Sequence, residues 1–271
     1  DIETGPKTVY GDLIDENILP ADKSHGAVSI YIPEDKSFSD YTAFLKERFA
    51  AEKIDAKLEL IGVDEEEWST AWKKYYHPIK VGERLTIVPK WEEYSESDGE
   101  IVVRMDPGMA FGTGTHETTR LVCGLIEKYL VPGQRVLDVG TGSGILSICA
   151  SKLGAAECFA CDIDPVAVRV ARENAADNNC DNIRCEVSDL LSCVDLSRGK
   201  YDFAVANIVA DIIIRMSDDI GDYLKTGAYL ITSGIIDIYA DEVIKALVAK
   251  GFTHIETRTE SDWNAIVFQK S

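Results

Sequence analysis

From Arg135 to Ser233, short apolar runs alternate with helical stretches. Strands read at Arg135–Val139, Cys158–Asp162, Ile183–Val187, Phe203–Ala206 and Tyr229–Ser233, and helices at Ile145–Leu153, at Pro165–Ala176 and after Ala206. Two parallel neighbours need a crossover that returns the chain to the starting edge, so strands spaced by helices predict a doubly wound parallel α/β sheet. Asp164 and Pro165 mark the second helix sharply. The acid can serve as N-cap, and proline suits the first helical position, where its missing N–H costs nothing. The rhythm changes near the end: a helix at Tyr239–Lys250 stops at Gly251, and Thr253–Arg258 with Asn264–Phe268 reads as a terminal antiparallel hairpin.

The first 98 residues lack this alternation. A strand at Ala27–Ile32, a helix at Ser39–Lys53 with Phe44, Leu45 and Phe49 on one side, and a strand at Leu58–Val63 predict a small α+β domain over residues 1–63. Four acids, Asp64 to Glu67, then sit where the positive end of a helix dipole favours them, ahead of an aromatic helix with Trp68, Trp72, Tyr75 and Tyr76 that His77-Pro78 ends. Leu85–Pro89 is a short strand and Tyr94–Glu100 a polar connection. Residues 64–98 therefore read as a linker, and 99–271 as the larger domain.

Charge narrows the partners. With 47 acidic against 28 basic residues and a formal charge of −19, the chain repels phosphate backbones and anionic lipid and attracts cationic partners. Direct nucleic-acid binding is not expected. The longest apolar stretch, Phe203–Met216, is interrupted by Asn207, Asp211 and Arg215, so no membrane span is expected either. Seven cysteines, an odd number, with five of them between Cys158 and Cys193, suit reduced thiols in a cytoplasmic protein. The one CxxC, Cys158 and Cys161, lies in a strand whose alternation sends the two sulfurs to opposite faces. That favours core packing over a redox pair or a metal site, for which no second ligand pair is present.

The chemistry concentrates where the first strand of the alternation turns into its helix, at Asp138-Val139-Gly140-Thr141-Gly142-Ser143-Gly144. Glycines there let the backbone turn sharply and lie against a ligand. A dinucleotide fingerprint would place its last glycine where Ile145 stands, and Asp138 would repel a diphosphate while attracting a sulfonium or amino group. The bland alternative is a tight turn in an empty domain. Asp162 ends the next strand, where a carboxylate can accept from both hydroxyls of a ribose. Asp189, after the third strand, can meet an adenine amino group or be a solvated loop acid. Asn207, ending the fourth, faces the ligand crevice or caps a helix. Upstream, Asp106 to Thr119 is a loop with hydroxyls, His116 and the Phe111 ring that can close over a cofactor, with Thr118 or Thr119 alternatively capping the helix that starts near Arg120. A lone His116 is a poor metal ligand, and no GxSxG elbow supports hydrolysis.

The Asp138–Gly144 motif, Asp162 and the terminal hairpin resemble the S-adenosylmethionine-dependent methyltransferases of the seven-strand Rossmann-like class. More narrowly, Met105–Thr119, Asn207-Ile208-Val209-Ala210, Ser233-Gly234-Ile235-Ile236 and Asp262-Trp263-Asn264-Ala265-Ile266 resemble the PrmA family, which methylates the eleventh protein of the large ribosomal subunit. The similarity extends back through Trp68–Trp91. Val209 stands where that family commonly has Leu, and its ferredoxin-like N-terminal domain is incomplete here, lacking the opening strand and helix. The resemblance implies S-adenosylmethionine held by Thr119, Gly140, Asp162 and Asn207. Phe111, Thr118, Asp138, Gly142 and Asp189 join them by position. The enzyme expected is monomeric and cytoplasmic and acts on lysine side-chain amines, the N-terminal amine being left open as a second target, with the Asn207 side chain and the carbonyls of Asn207, Ile208 and Val209 as the groups that aim the amine. The alternatives are a methyltransferase of the same fold acting on another protein or a small amine, and a cofactor-binding module without turnover.

Overall fold

The computed structural model describes Thr42, Leu45, Lys46, Phe49 and residues 76–106, 114, 116–194 and 196–271. The chain divides into two compact units, residues 1–65 and 66–271. In the first unit the described residues are helical and fall inside the helix expected at Ser39–Lys53. The strands expected at 27–32 and 58–63, the aromatic helix over 68–75 and Phe111 lie outside the described residues.

The first strands among the described residues of the second unit are β1 (Ile79–Lys80), β2 (Leu85–Pro89) and β3 (Ile101–Met105). They form a small sheet in which β2 pairs antiparallel to β1 and parallel to β3. Strands β1 and β2 fall inside the stretch read as linker and β3 just beyond it, and Leu85, Ile87, Val103 and Met105 join the main hydrophobic core. There follow α1 (Glu117–Tyr129), β4 (Arg135–Val139), α2 (Ile145–Lys152), β5 (Glu157–Asp162), α3 (Pro165–Asp177), β6 (Ile183–Val187), β7 (Tyr201–Asn207), α4 (Ala210–Met216), α5 (Ile220–Tyr223), β8 (Leu224–Ile236), α6 (Asp237–Ala249), β9 (Phe252–Glu260) and β10 (Trp263–Lys270).

The seven strands from β4 onward run in the order β6-β5-β4-β7-β8-β10-β9. Pairing is parallel from β6 through β8, and β10 inserts antiparallel between β8 and β9. This is the seven-strand Rossmann-like sheet with a terminal hairpin. Strand β8 starts five residues before the expected Tyr229, because Lys225, Thr226 and Gly227 face solvent and carry no apolar signal. Successive residues of each buried strand feed opposite layers. Val136, Phe203 and Val205 pack under α1 and α2, whereas Leu137, Ala204 and Ala206 pack under α4 and α6. Cys158 and Cys161 obey the same rule, the first entering one layer and the second the other. Burial pushes both thiols far above their ordinary range, which makes them inert as nucleophiles. No helix of the described residues is long and apolar enough to cross a membrane.

The chain leaves β4 outward to β5 and β6, then returns to the other side of β4 with β7. Strand order therefore reverses between β4 and β7. The chain leaves these two strands in opposite directions at that switch point, and the region outside their carboxyl ends is where open α/β sheets bind ligands.

Candidate active site

The loop after β4 is built by its glycines. Gly140, Gly142 and Gly144 have φ of 75°, 54° and 84°, left-handed values that side chains with a Cβ adopt at a cost. A Cβ on Gly140 would also lie 2.2 Å from Ile208 Cγ2, so this glycine lets the β4 and β7 loops touch across the switch point. Gly140 and Thr141 donate their N–H groups to Cys161 O at 2.8 and 3.0 Å, tying the loop to the end of β5.

Asp138 lies beneath this loop, fully buried. Its Oδ2 accepts from Thr141 Oγ1 and Ser147 Oγ, both at 2.7 Å, while Oδ1 has no partner. Burial raises its pKa to about 6; the two hydroxyls pull it down, and the nearby Asp162 pushes it up further. A carboxyl poised in this way gains most from a cation placed beside it. Asp162 accepts from Gly142 N–H through Oδ2 at 2.9 Å and from Asp164 N–H through Oδ1 at 3.0 Å. It thus holds the glycine loop as well as presenting a carboxylate at the carboxyl end of β5. Asp164 caps α3 through Val166 N–H at 2.8 Å, as expected from the sequence.

On the other side of the switch point, Asn207 Nδ2 donates to Thr118 Oγ1 at 3.2 Å, and Asn207 Oδ1 is buried without a partner. Asn207 is not a helix cap: α4 begins after Val209, whose carbonyl accepts Ile212 and Ile213 N–H at 3.1 and 3.2 Å and is committed to the helix. Ile208 N–H donates to Ser233 O at 3.0 Å. Gly234, at φ 83°, is where the β8 end meets this turn, since a Cβ there would lie 2.5 Å from Ile208 O.

Neither Thr118 nor Thr119 caps α1, which starts at Glu117. His116 is the cap, its Nδ1 accepting Thr118 N–H at 3.3 Å, and the edge-on ring of Trp263 lies 5.1 Å from the imidazole centroid. A histidine ring nitrogen can do what the Ser, Asp or Asn of a usual cap does, but composition rules do not favour it there. Thr119 Oγ1 is buried and unpartnered. Asp189 is exposed and ion-paired with Arg215 at 2.5 Å. Sequence reasoning missed Thr141, Ser147 and the His116 cap. The spacing of Ser147 one helical turn into α2 was the only available hint of the second.

Among the described residues, four buried side-chain polar atoms have no partner, and three of them are Thr119 Oγ1, Asp138 Oδ1 and Asn207 Oδ1. Such atoms cost about 1–3 kcal/mol each unless something satisfies them. All three lie on elements that meet at the switch point, β4, β7 and the start of α1, and such a set fits a polar, cationic small molecule. S-adenosylmethionine, with its sulfonium, amino group and ribose hydroxyls, suits that set of an acid, a hydroxyl and an amide together with the Asp162 carboxylate.

The sequence profile described as Ribosomal protein L11 methyltransferase (PrmA) matches residues 8–271. The chain belongs to this family. A ribosomal protein L11 methyltransferase of Caldanaerobacter subterraneus subsp. tengcongensis is 43% identical over 276 residues, covering 100% of this chain and 88% of the relative. One of Clostridium perfringens is 44% identical over 271 residues, covering 98% of this chain and 85% of the relative. The crystal structure of a ribosomal protein L11 methylase from Lactobacillus delbrueckii subsp. bulgaricus superposes with a TM-score of 0.68 at 37% identity, covering 72% of this chain and 100% of that one. In this PrmA-family methyltransferase the glycine loop, Asp162 and Asn207 stand at the carboxyl ends of β4, β5 and β7.

Proposed function

We propose that this PrmA-family enzyme transfers methyl groups from S-adenosylmethionine to lysine side-chain amines, and to the N-terminal amine, of ribosomal protein L11. The observation that carries the reading is the convergence of the unpartnered Thr119, Asp138 and Asn207 atoms at the switch point. The cofactor, when bound, supplies a methyl group already activated on a sulfonium. The chain's own residues then have to align, desolvate and deprotonate rather than activate.

Asp162 takes the ribose hydroxyls, and Asp138 with Thr119 satisfies the charged end of the cofactor. Asn207 and the Ile208 turn aim the acceptor amine. A lysine amine has a reference pKa of ~10.4 and must be neutral to attack, so entry into a crevice that already holds a sulfonium favours loss of its proton. With the cofactor bound, the neutral amine, held by Asn207 and the Ile208 turn, would be placed to accept the methyl group and would give up its extra proton to solvent. A formal charge of −19 favours encounter with a basic ribosomal protein, free of RNA, in the cytoplasm, and the enzyme acts as a monomer.

The test is incubation of the full chain with labelled S-adenosylmethionine and the separated large-subunit ribosomal proteins, read by mass spectrometry. Label on L11 amines is expected; label only on another protein, or none, overturns the reading. We assign substrate gripping to residues 1–63. Deleting them should leave cofactor affinity within about threefold and abolish L11 methylation, because binding energy from the remote part of a substrate is what places its reacting group.

A further inference from the structure

Asn207 ends β7 with an amide whose two halves are treated differently: Nδ2 donates to Thr118 Oγ1 at 3.2 Å, and Oδ1 is buried with no partner. The amide could turn over with little steric change, because oxygen and NH2 are close in size and the terminal torsion is soft. What decides its direction is the hydrogen-bond polarity of the groups behind it. His116 Nδ1 accepts the Thr118 N–H at 3.3 Å and lies 2.9 Å from Thr118 Oγ1. A ring nitrogen that accepts is unprotonated, so the Thr118 hydroxyl places its own proton on His116 and presents only lone pairs to Asn207. Those lone pairs select Nδ2. The Trp263 ring, edge-on at 5.1 Å, braces the imidazole from β10.

We infer that His116 and Thr118 are positioning residues that lock Asn207 with its carbonyl oxygen, and not its NH2, turned to the acceptor amine. This rests on the reading of the crevice as an amine methylation site. An NH2 in that place would donate to the amine lone pair and withdraw it from attack. A carbonyl oxygen instead accepts an amine N–H, and its hold strengthens as positive charge grows on nitrogen in the transition state. The two adjacent threonines divide the work. Thr118 is 1% exposed with its hydroxyl engaged by His116 and Asn207, whereas Thr119 keeps an unpartnered Oγ1 for the cofactor.

Thr118→Val keeps the shape and removes the hydroxyl. In the full chain, with L11 and labelled S-adenosylmethionine, it should lower kcat at least about tenfold while calorimetric cofactor affinity moves less than about threefold. Thr118→Ser should restore most of the rate. Against an Asn207→Ala background, Thr118→Val should have no further effect on the residual rate, since its influence runs through Asn207. The inference is overturned by a cofactor affinity that falls in step with kcat, by a serine variant as slow as the valine one, or by equal effects in both backgrounds. Nitrogen NMR of the imidazole judges it without turnover: Nδ1 of His116 should be the unprotonated nitrogen, and a protonated Nδ1 overturns the assignment. A wild-type enzyme that methylates no L11 would instead remove the functional reading, with the NMR measurement still deciding the relay.

Discussion

The two ends of the parallel sheet carry polar clusters of opposite condition. At the amino ends of β4, β5, β6 and β7, a cavity of about 280 Å³ is lined by Arg135, Glu157, Asn182, Arg184, Arg198 and Tyr201 among others. The groups around it are matched. Arg135 Nη1 donates to the carbonyls of Arg198 and Gly199 at 2.9 and 2.6 Å, its guanidinium lies 4.7 Å from the Tyr201 ring centroid, and Glu157 pairs with both Arg135 and Arg198. Asp202 accepts Arg135 N–H at 3.0 Å and pairs with Lys225 at 2.6 Å. At the carboxyl ends, Thr119, Asp138 and Asn207 each keep a buried atom without a partner. A matched cluster closes the loops and stabilises the fold. A mismatched one is held in place by the fold and waits for a ligand. Charge alone would have pointed to the arginine-lined end; unsatisfied hydrogen-bonding capacity points to the other.

The sharpest way to break this contrast is Asp162→Ala. Two ribose hydroxyls would lose a charged acceptor, each such bond contributing about 1.5–3 kcal/mol, so cofactor affinity should fall by at least about 100-fold by calorimetry. Unchanged affinity would place the ribose elsewhere.

Asp138 tests whether the mismatch is electrostatic. Its folded pKa, about 6, stands above the ordinary carboxyl value of 3.8, so over that interval the native state holds a proton that the unfolded state has lost. That contribution is fully present below about pH 4 and is lost as pH rises through about 6, a change on the order of 3 kcal/mol. Relative to Asp138→Asn, the wild type should therefore lose stability in urea titrations across that window. Cofactor affinity should tighten over the same range as the carboxylate forms, and parallel pH profiles for the two proteins would refute the assignment.

At the matched end, Arg135→Met keeps the aliphatic stem and leaves Glu157 and three carbonyls short of a donor. A loss of about 2 kcal/mol in unfolding free energy is expected, with kcat of the folded enzyme unchanged. A drop in kcat at full stability would mean the amino end takes part in turnover. The smallest effect belongs to Asp189→Ala. Its exposed pair with Arg215 contributes under ~0.5 kcal/mol to stability, so a cofactor affinity lowered about threefold or more would have to come from contact with the adenine.

Much of the site was written in local pattern. Gly140, Gly142 and Gly144 announce themselves because a strand followed by alternate glycines and a helix has few other uses, and Asp162 and Asn207 each interrupt an apolar run at the end of a buried strand. The helix cap at Asp164 was legible for the same reason, since cap and first turn are neighbours in sequence. The small sheet was not. Strand β1 is two residues long, and β2 and β3 pair across a polar connection, so neither shows a partner in its own sequence.

By itself, then, the amino-acid sequence determined the order of strands and helices from Arg135 to Ser233, the parallel sheet with its closing hairpin, and which strand ends bear glycine, acid or amide, because these depend on periodicity and on backbone preferences within a few residues. Only the tertiary structure decided that His116 caps α1, that Thr118 faces Asn207 across 89 positions of sequence, and that Thr119, Asp138 and Asn207 all keep an atom unsatisfied. Hydrogen-bond partnership is a property of atoms within about 3 Å of one another, and the chain brings these atoms together only when β7 returns to lie beside β4.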